Sequence, residues 1–507
     1  MKLSKTLSFA LAILIASASL SVHAQERPTG RGGERPRPEQ QQQQPQPAGK
    51  GVLRLLPADS ITEHSIDLPQ GKLAYTATAG TFPLYDQSGE QSAAIFYTAY
   101  VAKDAAPGRP VTFVFNGGPG AASAFLHLGL VGPRILDFGP DARDAANAKL
   151  IDNPNTWLAF TDLVLIDPVG TGWSRAAKAD DGKNFWNIDS DANTMAKVVA
   201  LYLNNNNRAA SPKYLLGESY GGFRAAKTAR ALVREQGIAI NGIVMLSPFL
   251  EGWMTFGNES SALRAALMLP SLAAAELERK KALTPESLAA AETFAMTDYL
   301  KTLAGRPPEG DAAKAFYSRV AEVSGLPLDI VTEARGFITD AYVKRLRAGM
   351  IVSRYDANFA VDDPFPDRLS PRGPDPILDG LSRAYGGAFA AYARNELGFK
   401  TDMTYVLLAN DVTRHWDWQG GRGQASADPD IRVLLSFSPS FRLLIAHGYS
   451  DMVTPYPMSR YVLDHLPPES PPGRTQFKLY PGGHMLYLDR KSREAFSNDA
   501  ATFYRGN

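Results

Sequence analysis

The stretch Gly217-Glu218-Ser219-Tyr220-Gly221 constrains the fold of this chain more than any other. It has the G-x-S-x-G pattern and follows the short apolar run Tyr214-Leu215-Leu216. It precedes Gly222-Phe223-Arg224-Ala225-Ala226, which is typical of the first turns of a helix. A strand, a tight turn and a helix form a nucleophile elbow, in which small flanking residues let the chain bend and expose the serine above a sheet. Because a serine hydroxyl alone is a weak nucleophile, the pattern predicts a base and an acid elsewhere in the chain.

Composition narrows the class of protein. The chain has 507 residues, 44% of them hydrophobic, which is enough for one large domain or two ordinary ones. Its 53 basic and 52 acidic side chains give a formal charge of +1, which does not indicate a nucleic acid or an anionic membrane as partner. The absence of cysteine excludes a thiolate nucleophile, a thiolate metal site and a lipid-anchored cysteine.

The N-terminal segment predicts export. Lys2 and Lys5 precede an apolar run over residues 7–18, and Val22-His23-Ala24 resembles the residues before a cleavage site. We therefore expect a signal peptide over residues 1–24 and a periplasmic or secreted protein. The alternative, a membrane anchor, is disfavoured because the run is shorter than the roughly 20 residues of a spanning helix, and we expect no stable membrane insertion elsewhere. Residues 25–50, rich in Pro and Gln, are typical of a disordered linker.

Short apolar runs that stop abruptly predict a buried sheet. Such runs occupy residues 94–101, 111–115, 163–166, 242–246, 441–446 and 477–480. Continuous apolar runs suit strands that helices cover on both faces, as in a mainly parallel sheet. We therefore predict an α/β core over residues 51–250 and 431–507.

The segment between the two parts of this core differs in composition. Residues 251–430 are Ala-rich at first, with helical patterns at 272–283 and 287–303, and then contain Pro-rich loops. We predict a mostly helical cap inserted into the core. Trp416 and Trp418 in this segment could line a substrate pocket, but packing of the cap against the core is favoured.

Candidates for the acid and the base each follow a predicted strand. Asp451 comes after the run 441–446, and His484 comes after the run 477–480. The order Ser, Asp, His is that of α/β hydrolases, and functional groups in open α/β sheets gather beyond the carboxyl ends of strands. His484 would accept the proton of Ser219, and Asp451 would hold the imidazole in the correct tautomer. Taken singly, Asp451 could be a turn residue and His484 a core histidine.

The Gly-rich loop Asn116-Gly117-Gly118-Pro119-Gly120 ends an earlier strand. It lacks the Gly-Lys-Ser/Thr of a phosphate-binding loop. One interpretation is a tight turn. The functional interpretation is an oxyanion hole, with one backbone N–H donor from this loop and one from Tyr220.

Several motifs between about residues 95 and 490 are specific in combination. They are the Gly-rich loop 116–120, Asp152-Asn153-Pro154 with Trp157, Asp167-Pro168-Val169-Gly170-Thr171-Gly172-Trp173-Ser174, Gly217-Glu218-Ser219-Tyr220-Gly221-Gly222, Gly448 with Asp451, and Gly483-His484-Met485. In this combination the chain resembles the serine carboxypeptidase family of the α/β-hydrolase clan, and an exported bacterial member of it.

The resemblance implies an α/β-hydrolase fold and removal of the C-terminal residue of a peptide, with no metal or organic cofactor. It implies that Asn116, Gly117 and Glu218 bind the terminal carboxylate. It also implies that the N–H groups of Gly118 and Tyr220 form the oxyanion hole. Burial favours the neutral acid, so Glu218 would bind the substrate carboxylate best at acid pH.

The chain departs from the family at two positions. Ala121 stands where members with disulfides carry a Cys, in keeping with the cysteine-free composition. Leu130 stands where many members place a second Glu that partners the Glu before the serine. We therefore expect Glu218 to lack that partner.

Three functions fit these observations. The first is a serine carboxypeptidase whose partners are peptides with a free C-terminus, using the triad Ser219, Asp451 and His484. The second is an esterase or acyltransferase with the same triad, since an elbow does not choose its leaving group. The third is a peptide-binding protein without catalysis, which the intact triad and loop disfavour. The sequence indicates no oligomeric state.

Overall fold

A computed structural model describes residues 51–103, 108–139, 144–258, 260–368 and 373–506. The predicted signal peptide and linker lie outside the described residues. Within those ranges, the helices are all too short or too polar to cross a membrane.

The strands define the sheet that carries the site. They are β1 (Ser60–Leu68), β2 (Gly71–Tyr85), β3 (Gln91–Ala102), β4 (Val111–Phe115), β5 (Arg134–Asp137), β6 (Lys149–Asp152), β7 (Asp162–Ile166), β8 (Arg175–Ala176), β9 (Lys213–Glu218), β10 (Gly242–Leu246), β11 (Met350–Val352), β12 (Ala360–Asp362), β13 (Arg442–Gly448) and β14 (Thr475–Tyr480). Among the described residues, ten of them form one sheet in the order β1-β2-β3-β7-β4-β9-β10-β13-β14, with β8 beside β3. β5 pairs with β6, and β11 with β12, in small separate sheets.

The sheet is parallel in its larger part. β7, β4, β9, β10, β13 and β14 run parallel to one another. β1, β2 and β3 pair antiparallel, and β3 is antiparallel to β7. The predicted runs 111–115 and 242–246 coincide with β4 and β10, so these predictions are confirmed. β1 and β2 extend the sheet beyond the predicted runs.

Helices surround the sheet. They are α1 (Ala124–Leu126), α2 (Ile188–Asn205), α3 (Tyr220–Gln236), α4 (Gly252–Phe256), α5 (Ala262–Arg279), α6 (Pro285–Phe294), α7 (Leu300–Ala304), α8 (Gly310–Ser324), α9 (Leu328–Glu333), α10 (Thr339–Arg345), α11 (Ala384–Asn395), α12 (Asn410–His415), α13 (Asp428–Phe437), α14 (Tyr456–Asp464) and α15 (Arg490–Arg505). The side chains of β10 divide between two hydrophobic clusters. Ile243 and Met245 join a cluster with α2, α3, α13 and α14, whereas Val244 and Leu246 join one with α11 and α15. Because both faces are covered, the central strands are continuous apolar runs rather than alternating ones.

The segment between β10 and β13 holds α4 to α13, the hairpin of β11 and β12, and a hydrophobic cluster of its own built mainly from α5, α8, α9 and α10. The pattern predicted a helix over 272–283, but α5 begins at Ala262, where the Ser261 side chain accepts a hydrogen bond from the Arg264 N–H. α5 continues through Pro270, and the buried residues on both sides of that proline explain why packing overrides its weak helix propensity. The predicted helix over 287–303 comprises α6, a π-helical turn and α7.

Candidate active site

Ser219 lies at the junction between β9 and α3, in the backbone geometry of an elbow. Its φ is 60° and its ψ is −127°, a conformation that L residues rarely adopt. A Cβ at Gly217 would come within 1.9 Å of the Gly221 carbonyl oxygen, and a Cβ at Gly221 within 2.5 Å of the Phe115 carbonyl oxygen. The two glycines of the motif are therefore required by close backbone approach. The strained turn leaves Ser219 partly exposed, although residues on either side are buried.

Ser219 opens into a cavity of about 320 Å³. The residues that line it come from the ends of β4 and β9, from the loop after β14, and from the segment between β10 and β13. Those predicted from the sequence are Asn116, Gly117, Gly118, Glu218, Ser219, Tyr220 and His484. The structure therefore brings these residues to one place, at the carboxyl edge of the parallel strands.

Asp451 lies behind His484, away from the cavity. The His484 Nδ1 is 2.8 Å from Asp451 Oδ2, and both side chains are almost fully buried. The other carboxylate oxygen, Oδ1, accepts the backbone N–H groups of Val453 at 2.7 Å and Thr454 at 3.1 Å. The carboxylate thus holds the imidazole with its proton on Nδ1, which leaves Nε2 able to accept a proton.

Electrostatics favour a charged Asp451 beside a basic imidazole. Burial raises the pKa of Asp451, but the charge and the hydrogen bond of His484 outweigh burial, and the pKa lies below its usual range. Burial lowers the pKa of His484, but the Asp451 carboxylate outweighs burial, and the pKa lies above that of an ordinary histidine. An imidazole with a raised pKa is a stronger base toward the Ser219 hydroxyl.

The Gly-rich loop lies directly against the elbow. A Cβ at Gly117 would come within 2.6 Å of the Tyr220 nitrogen. Gly118 has a φ of 101°, in the region that favours glycine. Tyr220 is the first residue of α3, so no carbonyl within that helix can accept its N–H. The two backbone donors proposed for an oxyanion are therefore brought together beside Ser219.

Glu218 is buried next to Ser219 and has two side-chain partners. The Asn116 Nδ2 donates to Glu218 Oε2 at 2.5 Å, and the Tyr487 hydroxyl donates to both carboxyl oxygens at 3.1 and 3.2 Å. Asn116 is itself fixed, because its Oδ1 accepts the Leu126 N–H at 3.0 Å. The sequence predicted that Glu218 lacks a second Glu as its partner, because Leu130 stands at that place. The phenol of Tyr487 bonds the Glu218 carboxyl instead.

Tyr487 reaches Glu218 because residue 129 has no side chain. A Cβ at Gly129 would come within 2.4 Å of the Tyr487 ring. The neighbouring Leu130 is fully buried, and its carbonyl oxygen accepts a hydrogen bond from the Asn153 amide. A neutral phenol therefore takes the place of an acidic partner at this side of the cavity.

Burial controls the protonation of Glu218. It raises the pKa of Glu218 to about 7, although the charge of His484 and the hydrogen bonds from Tyr487 and Asn116 act in the opposite direction. No formal positive charge bonds the carboxyl directly among the residues that the structure describes. At acid pH the group is neutral and can donate a hydrogen bond.

An aromatic wall bounds the cavity on the side of Tyr220. We use this name for Tyr220, Phe249, Phe256 and Trp418, all of which line the cavity. The Trp418 ring lies 5.6 Å from that of Tyr220 and 5.8 Å from that of Phe249. Trp416, by contrast, packs edge-on against Tyr220 at 5.3 Å without lining the cavity. The favoured interpretation, packing without a place in the cavity wall, therefore holds for Trp416 but not for Trp418.

Two of the sequence motifs support the site from outside the cavity. The Asn153 amide donates to the carbonyl oxygens of Leu130 and Gly132, both at 2.8 Å. The Ser174 hydroxyl donates to the Asp167 carbonyl oxygen at 2.6 Å and accepts the Phe96 N–H at 2.8 Å. These motifs fix loops at the edge of the sheet and are not part of the cavity lining.

Several site residues have no signal in the sequence. The Tyr355 carbonyl oxygen accepts a hydrogen bond from the backbone N–H of His484 at 2.6 Å. The Tyr355 ring lies edge-on to the His484 imidazole, with 5.1 Å between the ring centroids. The Ser247 hydroxyl donates to the His484 carbonyl oxygen at 2.9 Å. Tyr487 could have been suspected only from its position three residues after His484. Tyr355 lies in the inserted segment, where no strand end marks it.

Comparisons with known proteins find related sequences. Residues 75–257 match the serine carboxypeptidase family. The chain is 25% identical over 198 residues to serine carboxypeptidase-like 41 of Arabidopsis thaliana, covering 38% of this chain and 40% of that protein. It is 27% identical over 230 residues to the pheromone-processing carboxypeptidase KEX1 of Cryptococcus gattii serotype B, covering 43% of this chain and 33% of that protein. These alignments thus span well under half of each relative.

A solved structure extends the similarity to the fold. The crystal structure of Kex1(delta)p, a prohormone-processing carboxypeptidase from Saccharomyces cerevisiae, superposes with a TM-score of 0.54 at 15% identity, covering 85% of this chain and 91% of that one. At this identity the likeness concerns the fold alone. The predicted fold class is confirmed: a mainly parallel sheet flanked by helices, in the α/β-hydrolase arrangement.

Proposed function

We propose that this chain, whose residues 75–257 match the serine carboxypeptidase family, is a serine-type carboxypeptidase that removes the C-terminal residue of a peptide. One observation carries the proposal. A carboxyl group, Glu218, lies buried beside Ser219, with a pKa raised to about 7 and a hydrogen bond from Asn116. A neutral acid at this point is suited to binding the free carboxylate of a substrate, which an ordinary esterase site does not require.

The proposed reaction uses the three side chains in series. The Ser219 Oγ attacks the last peptide carbonyl carbon while His484 Nε2 takes the hydroxyl proton. The N–H groups of Gly118 and Tyr220 stabilise the oxyanion. The C–N bond then breaks, the departing amine takes the proton from His484, and an acyl-enzyme remains on Ser219. Water, deprotonated by His484, hydrolyses this ester and releases the shortened peptide.

Glu218 would contribute through the proton that it shares with the substrate. Two carboxylates facing each other repel, whereas a carboxyl and a carboxylate form a charge-assisted hydrogen bond. The Asn116 amide and the Gly117 backbone would also bind the substrate carboxylate. We call Asn116, Gly117 and Glu218 the carboxylate clamp. Since the pKa of Glu218 is about 7, binding of a free C-terminus should be strong below pH 7 and weaken above it.

The test compares two blocked dipeptides that differ only at the C-terminus, one a free acid and one an amide. We expect the free acid to have the higher kcat/KM at pH 5.5, and the acid-to-amide ratio to fall as the pH rises through about 7. Because both substrates need neutral His484, its titration cancels in the ratio. Equal rates at every pH would reject the carboxylate clamp and favour an esterase or acyltransferase.

Two variants complete this test. Ser219→Ala should lose turnover of both substrates and labelling by an active-site fluorophosphonate while keeping its circular dichroism spectrum. Glu218→Gln carries a donor that does not titrate, so its acid-to-amide ratio should not change with pH. An unchanged rate in Ser219→Ala, or a wild-type pH profile in Glu218→Gln, would contradict the proposal.

We further propose that residues 251–430 form a cap on a core of residues 51–250 and 431–507. The separate hydrophobic cluster of α5, α8, α9 and α10 supports this division. Phe256, Tyr355 and Trp418 of this segment line the Ser219 cavity. Peptide selection would therefore depend on the inserted segment more than on the core.

Export, to the periplasm or outside the cell, stays a proposal that rests on residues 1–24. N-terminal sequencing of the protein purified from the periplasmic or culture fraction should begin at Gln25. A protein that keeps Met1 and stays in the cytoplasmic fraction would reject it.

A further inference from the structure

The cavity beside Ser219 has two chemically different sides. The aromatic wall of Tyr220, Phe249, Phe256 and Trp418 forms one side. The carboxylate clamp lies on the other. Leu378 and Arg383 of the inserted segment also line the cavity. The two sides would meet the acyl part and the departing residue of a peptide, respectively.

Contacts along α11 place Arg383 on the clamp side. Arg383 immediately precedes α11, and its neighbour Tyr385 packs edge-on against Phe125 at 5.7 Å. Phe125 in turn adjoins Leu126, whose N–H is bonded to Asn116. Phe125 and Arg383 both line the cavity. The start of α11 is thus tied to the clamp through two successive contacts.

Arg383 brings a permanent positive charge to this side. Among the described residues that line the cavity, the acidic and basic side chains are Glu218, His484 and Arg383. The charges of Glu218 and His484 depend on pH, whereas a guanidinium stays charged. Arg383 is also positioned at the rim, because its side chain is 43% exposed while Glu218 is buried.

The partner of Arg383 leaves it able to bind a further carboxylate. Its Nη2 lies 3.0 Å from the Oδ1 of Asp379, four residues earlier in the chain, and the Asp379 side chain is 35% exposed. A part-exposed ion pair at this spacing is weak. A guanidinium has five N–H donors, so one such contact leaves donors for a ligand.

We propose that Arg383 makes this protein prefer peptides whose C-terminal residue carries an acidic side chain. The inference rests on the proposed carboxypeptidase function. The α-carboxylate of the departing residue lies only a few bonds from the scissile carbon, so the clamp next to Ser219 holds it. The side chain of the same residue extends toward the rim, where Arg383 supplies a charge-assisted hydrogen bond.

The experiment uses blocked dipeptides with one acyl residue, Phe, and a C-terminal Glu, Gln or Lys. We expect the wild type to hydrolyse the Glu substrate with a kcat/KM about tenfold above that of its isostere Gln, the size of one charge-assisted hydrogen bond. Arg383→Gln should bring this ratio close to one. Arg383→Glu should reverse the preference, so that Lys is favoured over Glu.

A second arginine gives the matched control. Arg394 lies in α11 but is exposed and does not line the cavity. Arg394→Gln removes the same charge from the chain and should keep the wild-type ratio. Asp379→Asn removes the competing carboxylate and should raise the preference for Glu further.

Distinct outcomes separate this inference from the proposed function. If the wild type hydrolyses the Glu and Gln substrates at equal rates, or if Arg394→Gln changes the ratio as Arg383→Gln does, the inference is wrong while the carboxypeptidase stands. If Arg383→Gln lowers the rate on all three substrates equally, the arginine binds the α-carboxylate and the side-chain preference is wrong. If no free-acid peptide is hydrolysed, both proposals fail.

Discussion

Two buried carboxyl groups near His484 have opposite pKa shifts. Asp451 is fully buried and its pKa lies below the usual range, while the pKa of Glu218, 4% exposed, is raised to about 7. Burial pushes both values up. Asp451 overcomes it because the imidazole and two backbone N–H groups bond it directly. Glu218 receives its hydrogen bonds from the neutral donors of Asn116 and Tyr487, so burial prevails.

The contrast shows how one site can hold a fixed anion behind His484 and a neutral acid in the cavity at the same pH. The anion orients a base, and the acid can bind another carboxylate. Burial alone does not decide which role a carboxyl takes; the charge of its hydrogen-bond partners does. Three variants test this difference between Asp451 and Glu218, and the variant with the largest expected effect comes first.

Asp451→Asn should have the largest effect on activity. Losing the carboxylate that fixes the His484 tautomer should lower kcat/KM by roughly 10³- to 10⁴-fold, the size of the loss in Ser-His-Asp enzymes. The measurement is hydrolysis of a blocked free-acid dipeptide at pH 6.5.

Asp356→Asn is the control for Asp451→Asn. Asp356 is another buried carboxyl, with a pKa raised by burial to about 6, and it accepts hydrogen bonds from Ser450 Oγ and the Asn358 N–H. An amide oxygen can accept both bonds, so the rate should change by less than about tenfold. Equal losses in the two variants would mean that His484 does not depend on Asp451 in particular.

Glu218→Gln should affect stability in a pH-dependent way. Folded Glu218 keeps its proton up to about pH 7, whereas the unfolded chain releases it near 4.5, so the wild type loses stability as the pH rises between these values. A difference of about 2.5 pKa units corresponds to roughly 3 kcal/mol. The variant lacks this loss. Its Tm relative to wild type should therefore be a few degrees higher at pH 8 than at pH 4.5, by calorimetry, and a constant difference would contradict the raised pKa.

Tyr487→Phe should have the smallest effect. The phenol stabilises the ionised form of Glu218, so its removal should raise the pKa further and move the midpoint of the acid-to-amide ratio upward by about one pH unit or less. Tyr385→Phe removes a nearby buried hydroxyl that makes no hydrogen bond to Glu218 within the described part of the chain. That variant should keep the wild-type midpoint. A downward shift in Tyr487→Phe would show that the phenol favours the neutral acid instead.

The ends of the strands could be predicted from the sequence because each is marked by a pattern within a few neighbouring residues. The runs 111–115 and 242–246 are continuous and apolar since two faces of the sheet are buried, and each stops where the chain meets a loop. The elbow at Ser219 needs glycine at fixed spacing, so it is also visible in the sequence. The site residues predicted from these signals line the cavity, except Asp451, which contacts the His484 side chain from behind.

Other site residues could not be predicted in this way. Tyr487 reaches Glu218 across 269 positions because Gly129 leaves room for its ring. Arg383 and Trp418 belong to the inserted segment, where helix patterns give the elements but not how they pack over the sheet. The start of α5 was missed because burial overrides the presence of Pro270.

The sequence by itself determined the sheet, the elbow and the order of the candidate nucleophile, acid and base, because each depends on spacing and apolar patterns within a few residues. Only the tertiary structure decided the protonation of Glu218 and the charge at the cavity rim. Those properties depend on which distant groups exclude water and which donate hydrogen bonds. Desolvation and partner charge are properties of the packed molecule, and no local pattern records them.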